Sequence, residues 1–345
     1  MNNGTPEITN EKIGILIAQL GTPDAPSKEA VKAFLREFLS DKRVIQKQGL
    51  FWKCLLNLII LPFRSGHAAK MYAAIWTEAG SPLLVHTQAQ AAKLEPILRD
   101  PLPGLEIEYG MRYGTPPLED ALDRLIAKGC NRILLFPQYP QFSYTTTASI
   151  YDAVSTCFQK YKAKATLQVI EPFFIHQMYL TALAELINGA LKDLRPEYLL
   201  LSYHGLPESY VEKGDPYPKM CSGTTENLIP LIKGVDNNKI LQCYQSRFGK
   251  AEWIKPYTIE TVEALAQLGV KRVAVAFPCF TVDCLETLYE IGSDLRSTFL
   301  DRGGEELSIV PCLNTSPAWL DAMRALVLEA VQEPSATTLL DWKAA

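Results

Sequence analysis

The chain lacks most of the features that mark a secreted, membrane-spanning or nucleic-acid-binding protein. Its eight cysteines, at positions 54, 130, 157, 221, 243, 279, 284 and 312, contain no CxxC pair. That spacing excludes a zinc knuckle and fits free thiols in a reducing compartment better than a disulfide framework. The opening MNNGTPEITNEK has neither the basic start nor the apolar centre of a signal peptide. No apolar run reaches the ~18 residues of a membrane span. The net charge of -4 leaves no global basic surface, so nucleic acid is not an expected partner. The turn GTPDAP at 21–26 has neither GxGxxG nor a Walker lysine, which disfavours a nucleotide site. What remains is a cytoplasmic α/β chain whose 345 residues suffice for two domains.

Several stretches read as buried parallel strands joined by helices. IGILIAQL (13–20) is an apolar strand ending at Gly21. Ser27 offers an N-cap, after which Val31, Phe34, Leu35, Phe38 and Leu39 recur at helical spacing. Helices over 83–98 and 118–128, the second closed by Gly129, alternate with strands over 106–113 and 132–136. Further strands are expected at 166–170, 198–203, 239–244, 271–277 and 307–310, and a last helix over about 317–332. LEDALDRLIAKGCNRILLFPQYP (118–140) and TVEALAQLGVKRVAVAFPCFT (261–281) share one grammar of helix, glycine, arginine, strand and Phe-Pro. That is the mark of a duplicated α/β unit. The fold expected is two doubly wound α/β domains with parallel sheets, 10–165 and 166–332. The last helix packs back on the first domain, and the tail after Pro334 frays.

The block KQGLFWKCLLNLIILPF (47–63) breaks the alternation. It is almost wholly apolar, ringed by Lys47, Lys53 and Arg64, and too short to span a bilayer. It suits a buried helix, or an exposed lip that takes in an apolar ligand or rests on a membrane surface.

Two stretches carry candidate chemistry. LLLSYHGLP (199–207) is a buried strand that ends in His204 and turns away at Gly205 and Pro207. This sets an imidazole at the carboxyl edge of a sheet, where open α/β folds bind ligands. FPCFTVDCLETLYEIGSDLR (277–296) starts a helix near Asp283, and Glu286, Glu290 and Asp294 then fall on one stripe. Imidazole and carboxylate meeting in one cleft suit a first-row divalent metal such as iron(II), or the uptake of protons.

These segments resemble the signatures of the ferrochelatases, which insert iron(II) into a porphyrin to make haem. The resemblance rests on ILIAQLGTPDAP, IWTEAGSPL, FPQYPQFSYTTTAS, LLLSYHGLPESYVEKGDPYP, CYQSRFGKAEWIKPYT and DCLETLYEI, in order along nearly the whole chain. It is nearest to the proteobacterial type. It implies two Rossmann-like domains with the active-site cleft between them, a lyase, and protoporphyrin IX and Fe2+ as substrates. It further implies His204 and Glu286 as the catalytic and metal-contacting pair, and Glu290, Asp294 and Asp283 as an acidic metal route. Arg112, Tyr113, Leu20, Phe51 and Trp52 are implied at the porphyrin, with 47–63 as a lip that touches a membrane peripherally.

Three departures refine the resemblance. Leu20 stands where the Gram-positive, coproporphyrin-using branch has tyrosine, which favours protoporphyrin IX. Cys284 stands where many members have histidine, leaving His204 as the site's only imidazole. No cysteine cluster follows Cys312, and Tyr144 replaces a cluster ligand, so no iron–sulfur centre and no organic cofactor are expected. The competing readings are a non-catalytic porphyrin or haem carrier and a cobalt chelatase acting on another tetrapyrrole.

Overall fold

β1 (Ile13–Thr22) owes its place to composition: Ile15 to Ala18 are wholly buried, so the strand needs cover on both faces. The computed structural model describes residues 11–46, 48–249 and 251–333; Lys47 and the tail beyond Pro334 lie outside them. α1 (Lys28–Leu39) follows, its first turn capped by Ser27 Oγ, which accepts from the Ala30 amide. α2 (Leu50–Leu55) runs through a π-helical turn, Leu56–Ile60, into α3 (Leu61–Ile75). α4 (Pro82–Leu98), β2 (Glu106–Gly114), α5 (Leu118–Ala127), β3 (Arg132–Pro137), α6 (Thr147–Phe158) and β4 (Thr166–Val169) complete the first half.

The second half opens with α7 (Gln177–Leu194), β5 (Tyr198–His204), α8 (Glu208–Val211) and α9 (Tyr217–Leu228). It continues through β6 (Ile240–Gln245), α10 (Thr258–Gln267), β7 (Arg272–Ala276), a π-helix over Glu286–Leu295, α11 (Arg296–Asp301), β8 (Glu306–Ile309) and α12 (Pro317–Gln332). All pairings between these strands are parallel, and the two sheets run β2-β1-β3-β4 and β6-β5-β7-β8. The order is the same in both, so the helix–strand grammar shared by 118–140 and 261–281 falls on the third strand of each sheet.

One core joins the halves. It takes Ile15 and Phe136 from the first sheet, Leu201 and Ala276 from the second, and Leu94, Leu183 and Met323 from α4, α7 and α12. Each of these side chains larger than alanine contributes roughly 1.5–3 kcal/mol on burial. The division expected at residue 166 moves C-terminally, because β4 pairs with β3 and belongs to the first sheet. An apolar run shows that a strand is buried but not which sheet it joins. α12 closes over the first half: Arg132 Nη2 donates to the Ala330 and Val331 carbonyls, and Gln168 Nε2 to that of Ala330.

Candidate active site

His204 is the last residue of β5, half-buried beside Gln245 at the end of β6. The next residue must be glycine, because a Cβ at Gly205 would lie 2.7 Å from the Gln245 carbonyl oxygen. That carbonyl instead accepts the Gly205 amide at 2.8 Å, and the chain turns out of the sheet. His204 Nδ1 lies 2.7 Å from the Gly205 carbonyl, which can only accept. Nδ1 therefore carries a proton, and in the neutral ring the lone pair is on Nε2. The His204 amide donates to Cys279 Sγ, and the rings of Trp253 and Phe280 flank the imidazole at centroid distances of 6.5 and 6.4 Å.

Glu286 opens the π-helix, and Gln245 ties it to His204's strand: Gln245 Nε2 donates to the Glu286 carbonyl while Oε1 accepts from Ser202. An ordinary helix was expected here; ten residues of i→i+5 bonding replace it, a rare geometry that is frequent at functional sites. Glu286 and Glu290 are half-buried and Asp294 is exposed, so the stripe runs from the interior to solvent. Glu290 accepts from Ser246 Oγ, and its carboxyl is pushed up to about 7 by burial and by the charges of Glu286 and Asp294. Asp283 does not belong to this stripe. Its oxygens accept from the Cys312 amide and Asn314 Nδ2, so it serves as a structural clasp. Cys284 is buried among Leu83, Met111 and Val282, and burial holds its thiol neutral, well above its ordinary pKa.

The first half holds the remaining expected site residues. Leu20 is half-buried at the end of β1, and Arg112 Nη2 forms a 2.6 Å ion pair with Asp41 near the end of β2. Tyr113 departs from the expected role. It is 1% exposed, its hydroxyl donates to Asp41, and it backs Arg112 rather than lining a cleft. Two tyrosines that the sequence reading passed over lie within reach of the Glu286 charge: Tyr72 on α3 and Tyr139 after β3. Burial pushes both hydroxyls well up, and the charge of Glu286 adds to it in each case. Tyr139 Oη is buried with no hydrogen-bond partner. Its place in the FPQYP stretch was the available signal.

Residues 48–63 expose an apolar surface. Leu50, Phe51, Leu58, Ile59 and Phe63 stand exposed, Phe51 at 81%. Trp52 differs from its neighbour: it turns inward and donates to the Leu39 carbonyl at 3.1 Å. The residues that flank this surface reach the second half: Tyr210 Oη donates to the Val44 carbonyl, and Arg64 lies over the ring of Phe248.

A family model described as ferrochelatase matches residues 12–331. The ferrochelatase of Rhodopseudomonas palustris strain TIE-1 is 44% identical over 331 residues, 95% of each chain. That of Bradyrhizobium sp. strain BTAi1 is 45% identical over 331 residues, 95% of this chain and 94% of its own. The chain belongs to the ferrochelatase family. Among solved structures, SirB from Bacillus subtilis with Fe3+ covers 94% of this chain and 97% of its own at TM-score 0.55 and 12% identity. The cobalt complex of the sirohydrochlorin chelatase SirB from the subspecies spizizenii gives 0.52 at 13%, with the same coverage. These two likenesses concern the fold alone.

Within the chain the two halves also repeat at the site, a relation that a search by composition misses. LIAQLGTP (16–23) and LLSYHGLP (200–207) end equivalent strands and share their leucine, glycine and proline. Leu20 occupies the place of His204, so only the second half carries an imidazole there. Among the described residues no three His, Cys, Asp or Glu side chains converge as a metal-holding set.

The raised pKa of Glu290 has a testable consequence for stability. A carboxyl whose folded pKa exceeds its unfolded one favours the fold below about 4.5 and loses that contribution as pH rises through about 7. Glu290→Gln should therefore be more stable than the parent at pH 8, by about 3 kcal/mol, with the gap closing near pH 4. Denaturant unfolding at the two pH values measures it; equal stability at pH 8 would show that Glu290 ionises without cost.

Proposed function

We propose that this chain inserts iron(II) into protoporphyrin IX, releasing two protons and forming protohaem, the terminal step of haem biosynthesis. Family membership together with His204 and Glu286, joined through Gln245, is the observation that carries the reading. A free porphyrin points its lone pairs into the ring plane, so a metal reaches them only from a face. A rigid cleft that favours a bent macrocycle exposes a pyrrole lone pair and lowers the barrier. His204 Nε2, with its lone pair free, and Glu286 are the groups available to accept protons. Asp294, exposed, and Glu290 and Glu286, half-buried, offer successive oxygen ligands as hydrated iron sheds water. Leu20, Arg112 and the lip form the porphyrin wall, Arg112 facing a carboxylate and Leu20 the apolar ring. Iron(II) is a substrate here, and no organic cofactor or iron–sulfur cluster takes part.

Anaerobic incubation with protoporphyrin IX and iron(II), followed by the absorbance change from free base to haem, tests the reading. Multiple turnovers are expected; stoichiometric binding without turnover would make the chain a carrier. Turnover only with sirohydrochlorin and cobalt would make it a chelatase of another tetrapyrrole, a reading the apolar lip disfavours because that substrate carries many carboxylates.

No helix among the described residues is long and apolar enough to cross a membrane. The exposed lip supports a cytoplasmic protein that rests on a membrane surface, where the apolar substrate partitions. Burying two phenylalanines contributes about 3 kcal/mol or more, so the double variant Phe51→Ser, Phe63→Ser should lose at least about tenfold in vesicle partitioning. Sedimentation with anionic vesicles reads this. Unchanged binding would leave the lip as a porphyrin contact alone.

A further inference from the structure

The carboxylate of Asp41 is an unusually crowded acceptor for a residue in a surface turn. Its Oδ2 accepts from Arg112 Nη2 at 2.6 Å, Tyr113 Oη at 2.8 Å and Ser149 Oγ at 2.5 Å, and its Oδ1 accepts the Arg43 amide at 2.7 Å. Burial alone would raise its pKa; the bonds from Ser149, Arg43 and Tyr113, with the Arg112 charge, outweigh that and hold it below the ordinary carboxylate range. Arg112 is gripped twice, since its Nε also donates to Ser149 Oγ at 2.7 Å. These bonds engage Nε and Nη2 and leave Nη1 for another acceptor. Asp41 also begins the segment that leads to the lip. Its carbonyl accepts from Ile45, Arg43 pairs with Asp152 through two bonds, and the Val44 carbonyl accepts Tyr210 Oη from the second half.

We propose that Asp41 is a positioning residue that holds the Arg112 guanidinium as a receptor for a tetrapyrrole carboxylate and fixes that receptor to the base of the lip. The proposal rests on the reading of Arg112 given above. An arginine held at one edge loses little side-chain freedom when its other edge binds an anion. Simple neutralisation predicts the reverse: removing Asp41 would free the Arg112 charge and tighten anion binding.

Steady-state kinetics of the full chain separate the two. Asp41→Asn sets an amide N–H against either the Arg43 N–H or the three donors on Oδ2. It should raise KM for a dicarboxylic porphyrin about tenfold, the effect of losing one charge-assisted bond. KM for iron(II) and kcat should stay within about twofold, because the acidic stripe is untouched. Asp41→Glu should recover part of the loss, and the porphyrin dimethyl ester should show no difference between variants. Ser149→Ala, a milder change that keeps the test open if Asp41→Asn does not fold, should raise the same KM about threefold. An unchanged or lowered porphyrin KM, or an equal effect on the ester, would overturn the proposal. Arg112→Ala, measured alongside, separates the failures. If it leaves porphyrin KM unchanged, the reading of Arg112 is wrong. If it raises KM and neither Asp41→Asn nor Ser149→Ala does, only the positioning role is wrong.

Discussion

His204→Ala should lower iron insertion by about a thousandfold or more while leaving the fold and porphyrin binding intact. The imidazole is half-buried and its hydrogen bond is Nδ1 to the adjoining Gly205 carbonyl, so removing the ring breaks no distant hydrogen bond and gives up only the flanking rings of Trp253 and Phe280. The bond from its amide to Cys279 is made by backbone and survives. What is lost is the Nε2 lone pair, and the pseudo-symmetric position in the first half holds Leu20. Cys284 offers no substitute, since its buried thiol stays protonated. Porphyrin titration and anaerobic turnover on one preparation check the result. Turnover above about a tenth of the parent would remove His204 from the proton and metal steps. Loss of porphyrin binding would make it a binding residue instead.

Local chemistry made much of this protein legible, and non-local partners made the rest illegible. Ser27 as a cap, Gly129 after α5 and the buried run of β1 each depend on neighbours a few residues away, and each lies where the sequence places it. The membership of β4 depends on β3, some thirty residues earlier, and so the expected division cut a sheet. Asp283 reads as one more carboxylate beside Glu286 until Asn314 and Cys312, from beyond β8, satisfy it. Alternate residues on a strand face opposite ways, yet Arg112 and Tyr113 read as a pair; burial under Asp41 separates them. Asp41 itself sits in LSDKR, which looks like any polar turn. The π-helix has no compositional mark, because a stripe at i, i+4, i+8 suits α-helical bonding as well.

Glu286→Gln should cut turnover about a hundredfold, and its effect on pH dependence distinguishes a chemical role from a structural one. The substitution keeps side-chain volume, and the bond that ties this residue to Gln245 uses the Glu286 carbonyl, so the start of the π-helix is preserved. Only the charge goes. The charge of Glu286 is, after burial, the largest influence raising Glu290, so its removal should lower the Glu290 pKa from about 7. Iron must displace the Glu290 proton to use that carboxylate. In the parent, KM for iron(II) should therefore fall as pH rises through about 7. In Glu286→Gln the same fall should occur at lower pH, even as kcat drops. A hundredfold loss of kcat with the KM profile unmoved would mean that Glu286 and Glu290 act independently and that the stripe is not a connected route. Turnover within about threefold of the parent would show that His204 alone suffices to take both protons.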